Sequence, residues 1–98
     1  MMESDKYYYI LYVVDSTDNI SFISNTDPIV YTIDIKSAKL YDDMNNVRNE
    51  ILENYERFAL MYQIGYIKEF IKAFIKVSPN GEYEILGREL IDDSYISG

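Results

Sequence analysis

The stretch YIKEFIKAFIKVSPNGEYEILG, residues 66 to 87, decides the fold, because its first half fits both a helix and a strand. Lys68, Lys72 and Lys76 recur every four residues, as on one edge of an amphipathic helix. However, isoleucine, phenylalanine, tyrosine and valine dominate residues 66–77, and leucine is absent there, a composition that favours a strand. Proline, asparagine and glycine follow in SPNGE, as in a tight hairpin turn. We therefore predict a strand over 66–77 that returns as a second strand over 82–87.

Three more strands are predicted ahead of this stretch. KYYYILYVV (6–14) is apolar or aromatic on both alternating faces, as in a strand at the centre of a sheet. The turn-forming residues DSTDN (15–19) separate it from a short strand, ISFIS (20–24), so the two form a hairpin. IVYTIDI (29–35) has four apolar residues on one face, which predicts a half-buried strand.

One main helix is predicted between these strands. Asp42 or Asp43 is its N-cap, because either carboxylate can accept a hydrogen bond from a free amide one turn on, and Gly65 ends the helix or the turn after it. The order β-β-β-α-β-β makes residues 1–98 a single α+β domain, in which an antiparallel sheet of about five strands carries the helix on one face. Residues 88–98 are weakly patterned, and we expect their end to be loose. The predicted core face of the helix consists of Met44, Val47, Ile51, Tyr55, Phe58 and Tyr62.

The composition excludes several kinds of chemistry. The chain has no cysteine and no histidine, which removes disulfides, thiolate nucleophiles, imidazole bases and zinc sites built on either residue. The acidic pairs in DSTDN and at 92–93 have oxygens that suit calcium or magnesium, but turn formation is the favoured role. We therefore predict no enzyme, no cofactor and no metal site.

No apolar stretch approaches the roughly 18 residues of a membrane span, and MMESDKYYYI lacks a secretory signal pattern, so the expected location is cytoplasmic.

The acidic residues are the main candidates for function. A formal charge of −8 repels nucleic acid and attracts basic surfaces. A helical wheel places the helix carboxylates opposite the core face, where they form either a solvated face or a binding surface. The two N-terminal aspartates serve the helix end, and Glu53 is predicted to pair with Arg57, which leaves Glu50 and Glu56 without a local role. The predicted partner-binding residues are Asp42, Asp43, Glu50, Glu53 and Glu56, with Asp92 and Asp93 as a second patch.

A charge reversal follows from this assignment. Changing Glu50, Glu53 and Glu56 to lysine is expected to abolish partner binding and to leave the circular dichroism spectrum unchanged. Whether the second patch adjoins the helix carboxylates depends on the tertiary fold.

Other binding modes remain open. The lysines of residues 66–77 alternate with Phe70 and Phe74, a pattern that either stacks single-stranded nucleic acid or protects the outer face of a sheet, and the structural role is favoured. A homodimer built on exposed aromatic residues or on a free strand edge is the other alternative.

The stretch YTIDIKSAKLYDDMNNVRNEIL (31–52), a strand followed by a Lys-Ser-Ala-Lys connection and a helix, resembles an element of small accessory proteins of phages and mobile elements of low-GC bacteria. The size, the acidity and the Asn, Ile, Lys and Tyr bias of the chain are similar to those of that group. Some such proteins are anti-CRISPR or other anti-defence inhibitors. The resemblance implies a non-enzymatic protein of a bacterial host cell that binds a host protein or ribonucleoprotein complex with a basic surface, often by imitating nucleic acid. A small homo-oligomeric assembly module is the alternative function.

Overall fold

The computed structural model describes residues 4–97 and confirms the α+β fold: a five-stranded antiparallel sheet and one main helix. Residues 1–3 of the stretch MMESDKYYYI, and Gly98, lie outside the described residues. The strand order in the sheet is β3-β2-β1-β4-β5. The elements are β1 (Lys6–Asp15), β2 (Ile20–Thr26), β3 (Ile29–Thr32), a 3₁₀ helix (Ile35–Ser37), α1 (Met44–Gln63), β4 (Ile67–Val77), β5 (Tyr83–Leu90) and α2 (Asp93–Ser97).

Strands β1 and β4 form the centre of the sheet. Residues 10–13 of β1 are all buried, as expected for a strand that is apolar on both faces. The ambiguous stretch 66–77 is a strand, and β4 pairs with β1 from Lys6 opposite Val77 to Asp15 opposite Ile67. The predicted turn then reverses the chain, with Gly81 at a φ of +86° that glycine adopts without strain. The hairpin prediction is therefore confirmed.

Helix α1 begins and ends at the predicted signals. The side chain of Asp43 accepts a hydrogen bond from the backbone N–H of Asn45 (2.6 Å), so Asp43 is the N-cap. At the other end Gly65 adopts a φ of +83° and its N–H donates to the carbonyl of Tyr62 (3.2 Å). Two residues of the predicted core face are exposed instead, Met44 by 60% and Tyr62 by 45%, because they lie outside the stretch from Val47 to Phe58 that is buried against the sheet.

Residues 38–41, which follow the 3₁₀ helix, pass from one face of the sheet to the other through the space between strands β2 and β1. Ala38 packs in the core on the face opposite α1, whereas Tyr41 packs in the core beneath α1. Between them, the N–H of Lys39 donates to the carbonyl of Ile23 (3.0 Å), and Tyr41 exchanges two backbone hydrogen bonds with Tyr9 of β1 (2.7 and 2.9 Å). This crossing brings residues 39–41 against the first turns of α1.

Strand β3 ends earlier than the sequence pattern predicts. It stops at Thr32, because the side chain of Asp34 accepts a hydrogen bond from the N–H of Lys36 (3.0 Å) and starts the 3₁₀ helix. Ile33, expected on the buried face of a strand extending to residue 35, is 90% exposed.

Both faces of the sheet are packed. Phe70 of β4 is 1% exposed and stacks on Phe58 of α1, with ring centroids 4.1 Å apart. The face of β4 that carries Phe70 therefore lies beneath the helix, and its assignment as the outer face was wrong. On the other face Ile10, Ala73 and Ile75 are fully buried in a second core. Because each face of β4 reaches a core, alternation alone could not identify the outer one.

The end of the chain is more ordered than its weak pattern indicates. Ile91 is 2% exposed and belongs to the core beneath α1, and its N–H donates to the carbonyl of Phe70 (2.8 Å). The following helix α2 packs Tyr95 and Ile96 against the same core. Residues 91–96 are therefore part of the packed fold, although the sequence is weakly patterned there.

Candidate functional site

A groove of about 260 Å³ lies between the C-terminal half of α1 and the segment that follows β5. Two carboxylates stand at this groove, each fixed by a hydrogen bond. Asp93 accepts one from the hydroxyl of Tyr55 (2.6 Å), and Asp92 accepts one from the N–H of Tyr95 at the start of α2 (3.1 Å). The lining residues are Tyr55, Phe58, Ala59, Tyr62, Gln63, Phe70, Ile91, Asp92 and Asp93.

Two shallower depressions continue this groove across α1. The first shares Ala59 and Gln63 with the groove and adds Glu56, Arg57 and Leu60. The second shares Arg57 with the first depression and adds Asp27, Glu53 and the buried Thr26 and Asn54. The three form one continuous surface over the second half of the helix. We call it the acidic surface and define it by Asp27, Glu53, Glu56, Arg57, Ala59, Leu60, Tyr62, Gln63, Asp92 and Asp93.

The acidic surface concentrates the charge of the chain. Its five carboxylates and one guanidinium give a formal charge of −4, half of the −8 of the whole sequence. The described residues form four ion pairs, and Asp27, Glu53 and Glu56 take part in none of them. Exposed apolar side chains, Leu60 and Tyr62, lie among these charges. Charges of one sign can steer a partner of the opposite sign, and the apolar side chains among them supply contact area.

Four of the seven predicted binding residues are brought together here. Glu56 lies in the depression that shares Ala59 and Gln63 with the groove of Asp92 and Asp93. Glu53 lies one depression further on and is connected to the others only through Arg57. Asp42 and Asp43 stand at the N-terminal end of the helix, about 15 Å from Glu53 at 1.5 Å per residue and farther from the other members of the surface. Asp43 also has a structural role as the N-cap.

The predicted ion pair between Glu53 and Arg57 is not among the four that the described residues form. Both side chains instead line the same polar depression. Residues four apart on a helix lie within reach of one another. An exposed ion pair at that spacing contributes little free energy, so the two side chains need not stay together.

Glu50 does not belong to the acidic surface, and its predicted place on the solvated face of the helix was wrong. Its side chain is 17% exposed. The Oε1 atom accepts hydrogen bonds from the hydroxyl of Thr26, from Nζ of Lys39 (3.0 Å) and from the hydroxyl of Tyr41 (3.1 Å). The flank of α1 that carries Glu50 therefore faces β2 and the crossing segment, and reversing its charge would place a cation beside Lys39.

The environment keeps Glu50 ionised. Burial raises the pKa of its carboxyl group, but the hydrogen bonds from Thr26 and Lys39 outweigh burial and lower the pKa below the ordinary value. Burial and the nearby carboxylate raise the pKa of Tyr41, so its hydroxyl keeps the proton that it donates. Glu50 is thus a charged anchor with structural partners.

The alternating lysine and phenylalanine residues of β4 do not form a stacking surface for nucleic acid. Phe70 is buried beneath α1. Lys72 pairs with Glu89 (2.8 Å) and Lys76 with Glu84 (3.5 Å), so neighbouring carboxylates offset their charge. Only Phe74 of the two phenylalanines reaches solvent. The role of these residues is structural, but it differs from the expected protection of an outer face, because Phe70 packs beneath α1.

The turn DSTDN also has a structural use. Oδ1 of Asp15 accepts hydrogen bonds from the N–H and the hydroxyl of Thr17 (2.8 and 2.7 Å) and from the N–H of Asn19 (3.0 Å). These bonds are those of an Asx-type turn, the role favoured for this segment. Among residues 4–97 no group of three or more acidic side chains is arranged to hold a metal ion.

Sequence reasoning missed six members of the acidic surface: Asp27, Arg57, Ala59, Leu60, Tyr62 and Gln63. Tyr62 was assigned to the core, because it continues the apolar spacing of the helix. Ala59 lines the groove, and its small side chain near two tyrosines was the feature of the sequence that could have indicated a groove there. No feature of the sequence indicated Asp27, because it joins the surface only through the packing of the β2–β3 turn against α1.

Comparison with protein-family models, with curated proteins and with solved structures found no match for this chain. Within the described part of the chain, no helix has the length and apolar character that crossing a membrane requires.

Proposed function

We propose that this protein is a non-enzymatic inhibitor of the kind that phages and mobile elements encode, and that it binds a host defence or nucleic-acid-handling complex through the acidic surface. The observation that supports this proposal is the concentration of half of the formal charge in three adjoining depressions that run across α1, with Leu60 and Tyr62 exposed beside the carboxylates. A basic surface that normally contacts phosphates is the complementary partner.

The partner can be sought with three tagged baits in parallel. The first is the unchanged protein, and the second carries Glu53→Lys and Glu56→Lys. The third carries Asp5→Lys and Glu82→Lys, the same change of charge at exposed positions beside the far end of β4, about 30 Å from the acidic surface at 3.3 Å per residue. Glu50 is left intact because it is a structural anchor.

A host complex that binds the first and third baits but not the second is the expected result, measured by quantitative mass spectrometry of the purified material. The control bait removes the effect of net charge, so only the position of the charge differs. A complex that binds all three baits equally would contradict a role for the acidic surface.

A homo-oligomeric assembly module remains a second candidate, because within residues 4–97 no further strand pairs with β3 or β5 at the two edges of the sheet. Strand β3 exposes Val30 and Tyr31, and β5 exposes Leu86 and Leu90. Light scattering at micromolar concentration distinguishes the two: a stable dimer with no captured partner would favour assembly, and a monomer would remove this candidate.

A further inference from the structure

We propose that Asn80 is a site of spontaneous chemical modification, where the side-chain amide is lost as ammonia, and that the hydrogen bonds of the folded turn hold this reaction in check. The motif SPNGE reverses the chain between β4 and β5, and it also places an asparagine directly before a glycine. Asparagine is among the thermally labile residues, and the residue after it decides how readily it reacts.

The reaction requires only water and a solvent base. The backbone nitrogen of Gly81 loses its proton to the base and attacks Cγ of Asn80. The new bond between nitrogen and carbon closes a cyclic imide, and the side-chain nitrogen leaves as ammonia after taking a proton from water. A water molecule then adds to one of the two ring carbonyl carbons and opens the ring. Opening on one side gives aspartate, and opening on the other gives isoaspartate, in which the main chain runs through the former side chain.

Gly81 distinguishes Asn80 from the other asparagines of the chain. A side chain on the following residue shields the attacking nitrogen, and glycine has none. Apart from its chain neighbours, nothing in the described part of the chain lies within 4 Å of the place where a Cβ of Gly81 would stand. Asn80 itself is exposed to water and base. The asparagines that precede a residue with a side chain are Asn19, Asn25, Asn45, Asn46, Asn49 and Asn54.

The folded turn restrains both groups that must react. The N–H of Gly81 donates to the carbonyl of Ser78 (2.9 Å), so the hydrogen that has to leave is already bound. Oδ1 of Asn80 accepts hydrogen bonds from the hydroxyl of Ser78 and from the N–H of Glu82 (3.3 Å). These bonds fix the side-chain amide as in an Asx-type turn. Ring closure requires the turn to give them up, because the nitrogen and Cγ must approach to bonding distance.

Ser78 is the positioning residue of this turn. Its carbonyl holds Gly81, and its hydroxyl holds Asn80 and also accepts a hydrogen bond from the N–H of Glu82 (3.1 Å). Its own N–H donates to the carbonyl of Glu82 (2.9 Å) and closes the hairpin. Loss of the hydroxyl would therefore free the side chain of Asn80 and leave the backbone bonds of the turn in place.

The modification would change the hairpin in two ways. Either product puts a new carboxylate near the exposed Glu82 and makes the formal charge of the chain more negative by one unit. Isoaspartate also adds a methylene group to the main chain between Asn80 and Gly81. The turn would then be too long for strands that pair from Val77 opposite Tyr83, so this end of the hairpin should loosen.

The test follows the whole protein at mildly alkaline pH, with and without guanidinium chloride, by peptide mapping and mass spectrometry that separates aspartate from isoaspartate. We expect Asn80 to be the first of the seven asparagines to react under both conditions. Its reaction should be about tenfold faster in the denaturant, which corresponds to about 1.4 kcal/mol, the scale of one or two turn hydrogen bonds. Equal loss at several asparagines of the unfolded chain would overturn the site, and equal rates at Asn80 in the two conditions would overturn the restraint.

Three variants test the role of Ser78. Ser78→Ala should raise the rate at Asn80 in the folded protein towards the rate in denaturant and leave the rate in denaturant unchanged. Ser78→Thr keeps a hydroxyl and should restore the slow rate. The matched control, Ser37→Ala, removes an exposed hydroxyl away from the turn and should react as the unchanged protein does. A folded Ser78→Ala protein that reacts as slowly as the unchanged protein, or a Ser78→Thr protein that reacts as fast as Ser78→Ala, would overturn the role of the hydroxyl.

Discussion

Glu50 holds the first half of α1 against β2 and the crossing segment through hydrogen bonds that all reach one carboxylate oxygen. Two of the three donors, Thr26 and Tyr41, are buried. The third, Lys39, is partly exposed and adds an ion pair. Folding removes the hydroxyl groups of Thr26 and Tyr41 from water, and both donate to the carboxylate of Glu50. Loss of that charge would therefore weaken several contacts together.

We predict that Glu50→Gln destabilises the fold by about 1.5–3 kcal/mol at neutral pH, the range for hydrogen bonds to a charged group. The hydrogen bonds hold the pKa of Glu50 below its ordinary value, which is about 4.3 in an unfolded chain. Its stabilisation is therefore present above that value and is lost as the pH falls through the folded-state pKa.

Urea unfolding at about pH 7 and about pH 3 measures both parts of this prediction. The difference between the variant and the unchanged protein should shrink at the acid pH. The matched control is Glu53→Gln at an exposed position of the same helix, which we expect to change stability by less than about 0.5 kcal/mol. A Glu50 variant as stable as the unchanged protein at neutral pH would show that the cluster contributes nothing.

Local signals predicted single residues where the interaction is local. Asp43 caps α1 and Gly65 ends it, and both roles depend on neighbouring backbone groups alone. Glu50 could not be assigned in this way, because Thr26 is 24 residues away in sequence. A helical wheel gives the angle of a side chain but not what lies beside that flank of the helix.

At the scale of elements, the segment after β5 is a packed part of the core. We predict that Ile91→Ala lowers the free energy of unfolding by about 2–5 kcal/mol, as for other buried isoleucines. Ile91 fills the space beside Phe70, and its N–H extends the sheet by one more hydrogen bond.

Urea denaturation of this variant beside Ile33→Ala gives the comparison. Ile33 is the same residue type and is 90% exposed, so we expect a change below about 0.5 kcal/mol there. Similar effects at the two positions would mean that the end of the chain is as loose as its sequence pattern indicates.

The elements themselves were largely predictable. The turn SPNGE decided between strand and helix for residues 66–77, because a proline, asparagine and glycine in that order favour a reversal. The second helix was not predicted: α2 is only five residues long, too short to show a helical period. Strand β3 was predicted too long because Asp34 bonds to the backbone of Lys36, a competing local structure.

At the scale of the whole molecule, the distribution of charge over the surface could not be predicted from the sequence. The charge of −8 was known, and its effect on a partner depends on where it lies. Lysines offset carboxylates at four places: at Asp18, Glu84 and Glu89 on the sheet and its turns, and at Glu50 of α1. The acidic surface is assembled from α1, the β2–β3 turn and residues 92–93, segments that only the fold brings together.

Complementary charge on this surface predicts a binding affinity that depends on salt. Exposed charges are screened over about 8 Å at physiological ionic strength, so raising the salt concentration should weaken the complex mainly by slowing association. The apolar contacts of Leu60 and Tyr62 are much less sensitive to salt.

The most direct test of the account is the dissociation constant of the reconstituted complex, measured by calorimetry with the host protein that the baits identify. The Glu53→Lys and Glu56→Lys variant should bind at least about tenfold more weakly than the unchanged protein, and the Asp5→Lys and Glu82→Lys control should bind with nearly the same constant. Equal constants for all three proteins, or equal weakening in both variants, would contradict the claim that the acidic surface of α1 is where this protein meets its partner.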